Sequence, residues 1–134
     1  MWTEIAAAML LASGNGGMQV DVGRFNMSAM PQLQLSRREL PTAAMVGEVE
    51  TMFRVGSCSM PRQSAQRFDV DVPFAVLVEP DGSAHRAVIG EVGCRKLETL
   101  VGLIVEQLAR EGSLGRSGGT KAKWFASKIN FNLK

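Results

Sequence analysis

Side chains that usually carry enzyme chemistry are scarce in this chain. It has no tyrosine, one histidine, His85, and two cysteines, Cys58 and Cys94. A metal site needs several ligands at suitable spacing, and the sequence shows no further ligand at such a spacing from His85. The carboxylates Asp71 and Glu79 share one face of a predicted strand, but they are too far apart to act as a catalytic pair. We therefore predict no catalytic residue, no metal, no cofactor and no enzymatic activity.

Long apolar runs are also missing. No stretch approaches the roughly 20 apolar residues that cross a bilayer as a helix, so we expect no transmembrane segment. Residues 5–12 resemble the apolar part of a signal peptide, but the residues before them include Glu4 and neither lysine nor arginine. We therefore predict a helix over residues 3–13, with a remnant of a targeting segment over residues 1–13 as the alternative. These residues belong to an N-terminal extension, residues 1–40, whose role the sequence leaves open.

The net charge of the chain is small, and the basic residues are unevenly distributed along it. A net charge of +2 implies no particular partner, and 134 residues fit a single domain over residues 1–134. Basic residues gather near the C-terminal end: Arg110, Arg116, Lys121, Lys123, Lys128 and Lys134. Nucleic-acid surfaces usually combine denser basic residues with aromatic platforms, so we expect a solvated basic segment and no nucleic-acid partner. Binding of a nucleic acid or a membrane surface through these residues stays open as an alternative.

Residues 70–90 have the pattern of a β-hairpin. Over residues 70–78, valines and Phe74 alternate with Asp71, Pro73, Ala75 and Leu77, which is the period of a strand with one dominant apolar face. The turn that follows consists of Pro80, Asp81 and Gly82. Proline presets φ at the first turn position and glycine accepts a positive φ, so this turn suits a hairpin. Pro73 has no N–H to donate, and we expect this position to face away from a partner strand.

Residues 95–111 have a helical pattern. Apolar residues recur three and four positions apart and form one stripe: Leu97, Leu100, Val101, Ile104, Val105 and Leu108. We expect the charged and polar residues of the same segment, including Glu98, to lie largely off this stripe. Because the stripe must be buried, we predict that it packs on the valine face of the hairpin.

The remaining elements complete an α+β prediction. Residues 18–25 alternate as a short strand, and Leu33 and Leu35 are compatible with another. A helix is predicted over residues 42–55, and a long terminal strand over residues 121–133. The predicted fold has two layers, in which a small antiparallel sheet, made of hairpin 70–90 and terminal strand 121–133, is packed by helices 95–111 and 42–55.

The two cysteines flank the hairpin. Cys58 precedes its first strand and Cys94 follows its second, and the open ends of an antiparallel hairpin lie close together. A disulfide across this loop would stabilise the fold by roughly 3–4 kcal/mol in the chain-entropy model. The alternative is two buried free thiols. We predict the bond, and with it an oxidising compartment.

Several short motifs, taken in order, resemble the C-terminal domain of TonB-type energy transducers. The resemblance covers residues 60–133 and rests on these segments: Met60-Pro61, Ala65, the alternating VDVPFAVLV, Asp81-Gly82, Leu97-Glu98 and Ile129-Asn130-Phe131-Asn132-Leu133. The aromatic-x-Phe-x-Pro signature that follows the helix in that family is absent here. The resemblance implies this family's fold over residues 60–133, as one unit of the chain.

The same resemblance implies a function. It implies a non-catalytic periplasmic module that pairs through a sheet edge with another protein, an extended peptide or a second copy of itself. The terminal strand would provide that edge by strand addition. The predicted partner-binding residues are Lys128, Ile129, Asn130, Phe131 and Asn132. A small enzyme of unknown type is the remaining alternative.

Overall fold

The computed structural model describes residues 18–33, 41–58, 68–115 and 117–133. These residues form four strands, which are β1 (Gln19–Gly23), β2 (Phe68–Val78), β3 (Ala84–Gly90) and β4 (Lys123–Leu133). They also form two helices, α1 (Ala43–Arg54) and α2 (Arg95–Arg110), and a 3-10 turn at Met27–Ala29. The predicted helix over residues 3–13, the alternation at Leu35 and the family motifs at Met60-Pro61 and Ala65 lie outside the described residues.

The four strands form one sheet in the order β1-β3-β2-β4. Strand β2 pairs antiparallel with β3 on one side and with β4 on the other. Strand β1 pairs parallel with β3, which makes the sheet mixed rather than purely antiparallel. The predicted α+β fold, with a small sheet packed by helices, is therefore confirmed, and residues 18–25 do provide an additional strand.

Both helices contribute to a core on one face of the sheet. The valines of β2 and the stripe of α2 belong to the same cluster of buried side chains, as predicted. Phe74 and Phe131 are the largest fully buried side chains in it. Helix α2 comes close to β1 at Gly102, where an added Cβ would lie 3.2 Å from Cγ1 of Val20. A glycine in mid-helix therefore lets the helix approach the edge strand closely.

Helix α1 is closed at its N-terminus by a side-chain cap. The Thr42 hydroxyl accepts a hydrogen bond from the Met45 N–H at 3.2 Å, so one of the unpaired donors of the first turn is satisfied. Helix α2 ends in a Schellman motif, in which the Ser113 N–H donates to the Leu108 carbonyl and the Gly112 N–H to that of Ala109. The predicted boundaries of both helices agree with the structure within two residues.

Glu98 corrects one expectation about α2. Its side chain is buried, although the sequence pattern placed it off the apolar stripe. The carboxylate accepts hydrogen bonds from the backbone N–H groups of Val92, at 2.7 Å, and Gly93, at 3.1 Å. These donors belong to the loop that enters the helix, so Glu98 fixes the connection between β3 and α2. The positive end of the helix dipole also favours a carboxylate in the first turn.

Residues 24–31, which we call the strap, connect the two edges of the sheet. The preceding strand, β1, lies at one edge, whereas Gln32 forms a parallel bridge with Ala126 of β4, at the other edge. Four strand spacings, about 19 Å, separate these positions. The strap reaches at most ~30 Å when extended, which is too short for a route around the strand ends.

Two buried alanines on the face opposite the helices indicate where the strap runs. Ala75 and Ala126 are 1% and 0% exposed, yet neither belongs to the main core cluster. Both alternate with core-facing residues and therefore point to the outer face. Because the helices occupy the other face, we infer that the strap crosses the outer face over these small side chains.

Pro73 ends the ladder between β2 and β3. It lies opposite Gly90, just beyond the last pair, Phe74 with Ile89. Ala126 directs its backbone groups away from β2, so its cross-strand partner Ala75 directs its own groups away from β4 and toward β3. Pro73 lies two positions before Ala75 in β2 and therefore has the same direction. The prediction that Pro73 faces away from a partner strand is therefore wrong in direction. The proline is tolerated because the ladder stops there.

Candidate functional site

The site that we consider lies on the outer edge of β4, the last strand of the sheet. Its core-facing residues from Ile129 to Leu133 are buried, whereas the residues between them are exposed. Alternation therefore holds one face of β4 against the core and directs the other to the outside. Pairing with β2 continues without a register shift along all of β4, so the strand contains no bulge in this ladder.

The direction of the backbone N–H and C=O groups of β4 follows from hydrogen bonds between Ala126 and the residues around the end of the strap. The Ala126 N–H donates to the Pro31 carbonyl at 3.0 Å, and the Leu33 N–H donates to the Ala126 carbonyl at 2.8 Å. Ala126 thus directs both backbone groups away from β2. Residues two and four positions further along a strand share this direction. The backbone groups of Lys128, Asn130 and Asn132 therefore also face outward, and we call these three residues the open edge.

Side chains of the open edge are tied back to β2 on the outer face of the sheet. The Asn130 amide donates to the Asp71 carboxylate at 2.7 Å, and the Asn132 amide donates to Asp69 at 2.8 Å. The Lys128 ammonium lies 3.4 Å from the other oxygen of Asp71. The two asparagine–aspartate pairs are cross-strand neighbours in register, whereas Lys128 lies opposite Pro73 and reaches Asp71 diagonally. Both arrangements stabilise an antiparallel pair.

The predicted partner-binding residues fall into two groups. Lys128, Asn130 and Asn132 lie on the open edge with exposed side chains. Ile129 and Phe131 are 3% and 0% exposed and belong to the core. Their side chains cannot reach a partner without unfolding β4. Partner binding itself stays a prediction, and only the first group could contact an added strand.

Asp69 and Asp71 are part of this site, although sequence reasoning did not select them. Their contribution depends on the register between β2 and β4, which a single sequence does not provide. A signal was present in the alternation of two carboxylates on β2 and two amides on β4, since both sets share the polar face of their strand. Gln32 was missed for a similar reason, because its bridge to Ala126 is a long-range contact.

The predicted disulfide between Cys58 and Cys94 is confirmed. The two Cα atoms are 5.1 Å apart, and both residues are buried. Cys58 follows α1, with its N–H donating to the Met52 carbonyl, and Cys94 is the N-cap residue of α2. The bond therefore joins the end of one helix to the start of the other.

The predicted turn at Pro80, Asp81 and Gly82 closes the hairpin. The Gly82 N–H donates to the Glu79 carbonyl at 2.9 Å, and Gly82 has a φ of 93°. This is a three-residue loop with glycine at the left-handed position. The Asp81 carboxylate accepts hydrogen bonds from the Ser83 N–H and hydroxyl, which lower the pKa of Asp81 below its usual value.

His85 lines a small hollow of about 130 Å³ near the end of α2. Glu106 and Arg110 lie on the other wall of the hollow, and their opposite charges are 4.0 Å apart. Within the described ranges, no three histidine, cysteine, aspartate or glutamate side chains come together as metal ligands could. The predicted absence of a metal, a cofactor and catalysis stays a prediction.

Of the basic residues near the C-terminal end, Lys128 belongs to the open edge, and Lys134 lies outside the described residues. Lys121 and Lys123 are exposed before and at the start of β4, whereas Lys128 pairs with Asp71 further along it. Arg116 lies outside the described residues. In the part of the chain that the structure describes, no helix is long and apolar enough to span a bilayer.

Comparison of the chain with protein-family models, curated proteins and solved structures finds no match. The resemblance to the C-terminal domain of TonB-type transducers therefore rests on the sequence motifs described above.

Proposed function

We propose that this protein is a non-catalytic interaction module that captures an extended peptide of a partner protein on the open edge. The observation that carries the proposal is the outward direction of the backbone groups of Lys128, Asn130 and Asn132 beyond the bridge at Ala126. Among the described residues, no segment pairs with them. A strand edge with available N–H and C=O groups is a template for strand addition.

The chain's own contact at Ala126 supports this use of the edge. Pro31 and Leu33 already bind β4 through two backbone hydrogen bonds, and Leu33 is buried with 8% of its surface exposed. The same edge can therefore hold an extended segment in a β arrangement. A captured peptide would extend the sheet along the next positions of β4.

The resemblance to TonB-type transducers supports an extended peptide as the partner. The disulfide supports an oxidising compartment, since such bonds persist outside the reducing cytoplasm, and the periplasm fits both observations. The proposed partner is thus a protein with an accessible extended segment in that compartment.

The decisive variant is Asn130→Pro. It removes one outward backbone donor, while the pairing of β4 with β2 involves the alternate residues. We expect a folded, disulfide-bonded protein that no longer binds a fluorescent, capped peptide of sequence Ser-Val-Asn-Val-Asn-Val-Ser, measured by anisotropy. Asn132→Pro, nearer the strand end, provides a second test with less risk to folding.

Two control variants separate the backbone from other causes. Asn130→Ala removes the side chain but keeps the N–H, and should retain binding. Val22→Pro places a proline on β1, at the opposite edge, where Gly23 faces β3 and Val22 therefore faces outward. Unchanged peptide binding by folded Asn130→Pro and Asn132→Pro proteins would refute the proposal.

A further inference from the structure

The open edge has a fixed pattern of hydrogen-bonding side chains. An ionised aspartate only accepts hydrogen bonds, so the atom of Asn130 that lies 2.7 Å from Asp71 must be its amide nitrogen. The same reasoning applies to Asn132 and Asp69, at 2.8 Å. The two aspartates therefore fix the orientation of both asparagine amides.

This orientation determines what the edge offers to a neighbour. Because the oxygen and nitrogen of an amide diverge from one carbon, we expect each carbonyl oxygen to point away from its aspartate and from β2, toward the side of β4 where the described residues place no strand beyond Ala126. Asn130 and Asn132 are exposed and two positions apart on one face. An added strand would place two side chains, also two positions apart, beside these oxygens.

We infer that Asn130 and Asn132 select an extended peptide that carries hydrogen-bond donors at two alternating positions, with Asp69 and Asp71 as positioning residues. This inference rests on the proposed function. Asparagine, glutamine, threonine and lysine side chains can donate to the two carbonyl oxygens. An asparagine would continue the ladder from carboxylate to amide to amide, an arrangement that stabilises stacked strands.

The local charge favours the same class of partner. Asp69 and Asp71 contribute two negative charges on the outer face, and the Lys128 ammonium, 3.4 Å from Asp71, offsets one of them. Acidic side chains on the peptide would face two carbonyl oxygens and this residual negative charge, while the Lys128 ammonium is already paired with Asp71. The edge therefore discriminates against aspartate and glutamate at the two positions.

Three probe peptides test the selection. They are the capped Ser-Val-Asn-Val-Asn-Val-Ser peptide and its counterparts with leucine or aspartate at both asparagine positions. The backbone donors and acceptors are the same in all three, so pairing with the edge alone cannot distinguish them. With about 1 kcal/mol for each of two hydrogen bonds, we expect the asparagine peptide to bind roughly ten- to thirtyfold more tightly than the leucine peptide. The aspartate peptide should bind most weakly.

Variants identify the residues responsible. In an Asn130→Leu/Asn132→Leu protein, the preference for asparagine over leucine should fall to within about twofold, while the leucine peptide still binds. Asp71→Leu frees the Asn130 amide to rotate, so the preference should fall only in part, to about threefold. If the role of Asp71 were only structural, Asp71→Leu would weaken the binding of all three peptides alike and leave the ratios of their affinities unchanged.

The outcomes separate this inference from the proposed function. Equal binding of the asparagine and leucine peptides, both lost in Asn130→Pro, would overturn the selection while strand addition at the edge stands. No binding of any peptide by the wild-type protein would remove the proposed function and this inference together. A dimer in sedimentation that dissociates in Asn130→Pro and excludes peptides would show that a second copy occupies the edge, which overturns the chosen partner.

Discussion

The backbone of Gly90 lies directly against the ring of Pro73. A Cβ added at Gly90 would be 2.5 Å from Cγ of Pro73, a distance that real Cβ atoms essentially never show, and a tight but possible 3.1 Å from its carbonyl oxygen. The contact occurs where β3 ends beside the central strand. Glycine at this position therefore lets a proline lie in mid-sheet.

Gly90→Ala should destabilise the protein by about 1–3 kcal/mol, because a proline ring cannot move aside without shifting the strand backbone. Urea denaturation of wild type and variant measures the difference. Gly23→Ala is the matched control, since the nearest atom to its added Cβ is at 3.8 Å. Pro73→Ala should make Gly90→Ala nearly neutral when the two are combined. A cost for Gly90→Ala that persists without the proline ring would contradict this explanation.

Glu98→Gln should cost about 1–3 kcal/mol of unfolding free energy. The change replaces a buried carboxylate that accepts two backbone hydrogen bonds with an amide whose second group is a donor. Chemical denaturation measures the loss. Glu48→Gln, which removes an exposed carboxylate from the other helix, α1, should have little effect. Equal effects of the two variants would show that the loss of a helix charge, and not the loop contact, accounts for the change.

Removal of the disulfide should lower the free energy of unfolding by about 3–4 kcal/mol, because it closes a loop with a separation of 36 residues. Denaturation of the oxidised protein and of a Cys58→Ala/Cys94→Ala variant gives the difference. Intact-mass measurement after alkylation without reductant should show no modified thiol. Two alkylated cysteines in the untreated protein would contradict the bond.

Asp81 should have a pKa below 3.8, its ordinary value, because the Ser83 N–H and then the Ser83 hydroxyl stabilise the carboxylate. The contribution of these hydrogen bonds to stability is then complete above the unfolded-state pKa and is lost as the pH falls through the folded-state pKa. Carbon NMR titration of the Asp81 carboxyl group measures the value directly. Asp81→Asn should reduce stability at neutral pH and should approach wild type in acid. A pKa at or above the ordinary value would contradict the turn geometry.

Local patterns in the sequence predicted most of the elements correctly. The alternation over residues 70–78 and the stripe of α2 are strong because each element buries one complete face. The disulfide was also accessible to reasoning, since a hairpin brings its flanking residues together. Both successes depend on interactions between residues that are near in sequence or joined by one tight turn.

Most of the errors concern relationships between distant segments. Glu98 is an exception, because the backbone N–H groups that its buried carboxylate binds, those of Val92 and Gly93, lie only six and five residues earlier. The parallel pairing of β1 with β3 and the bridge of Gln32 to Ala126 join residues far apart in the chain. The partners of Asn130 and Asn132 depend on strand register, which periodicity leaves undetermined.

The strap has a consequence for the order in which the molecule assembles. Residues 24–31 connect β1, which needs β3 to pair, to Gln32, which needs β4. A ribosome produces the strap before β2, β3 and β4, so the strap lacks a partner for one of its ends until β4 has been made. Such long-range pairing slows folding. We therefore expect the strap, although it is made early, to be among the last segments to reach its native position, which would leave the outer face over Ala75 and Ala126 uncovered until then.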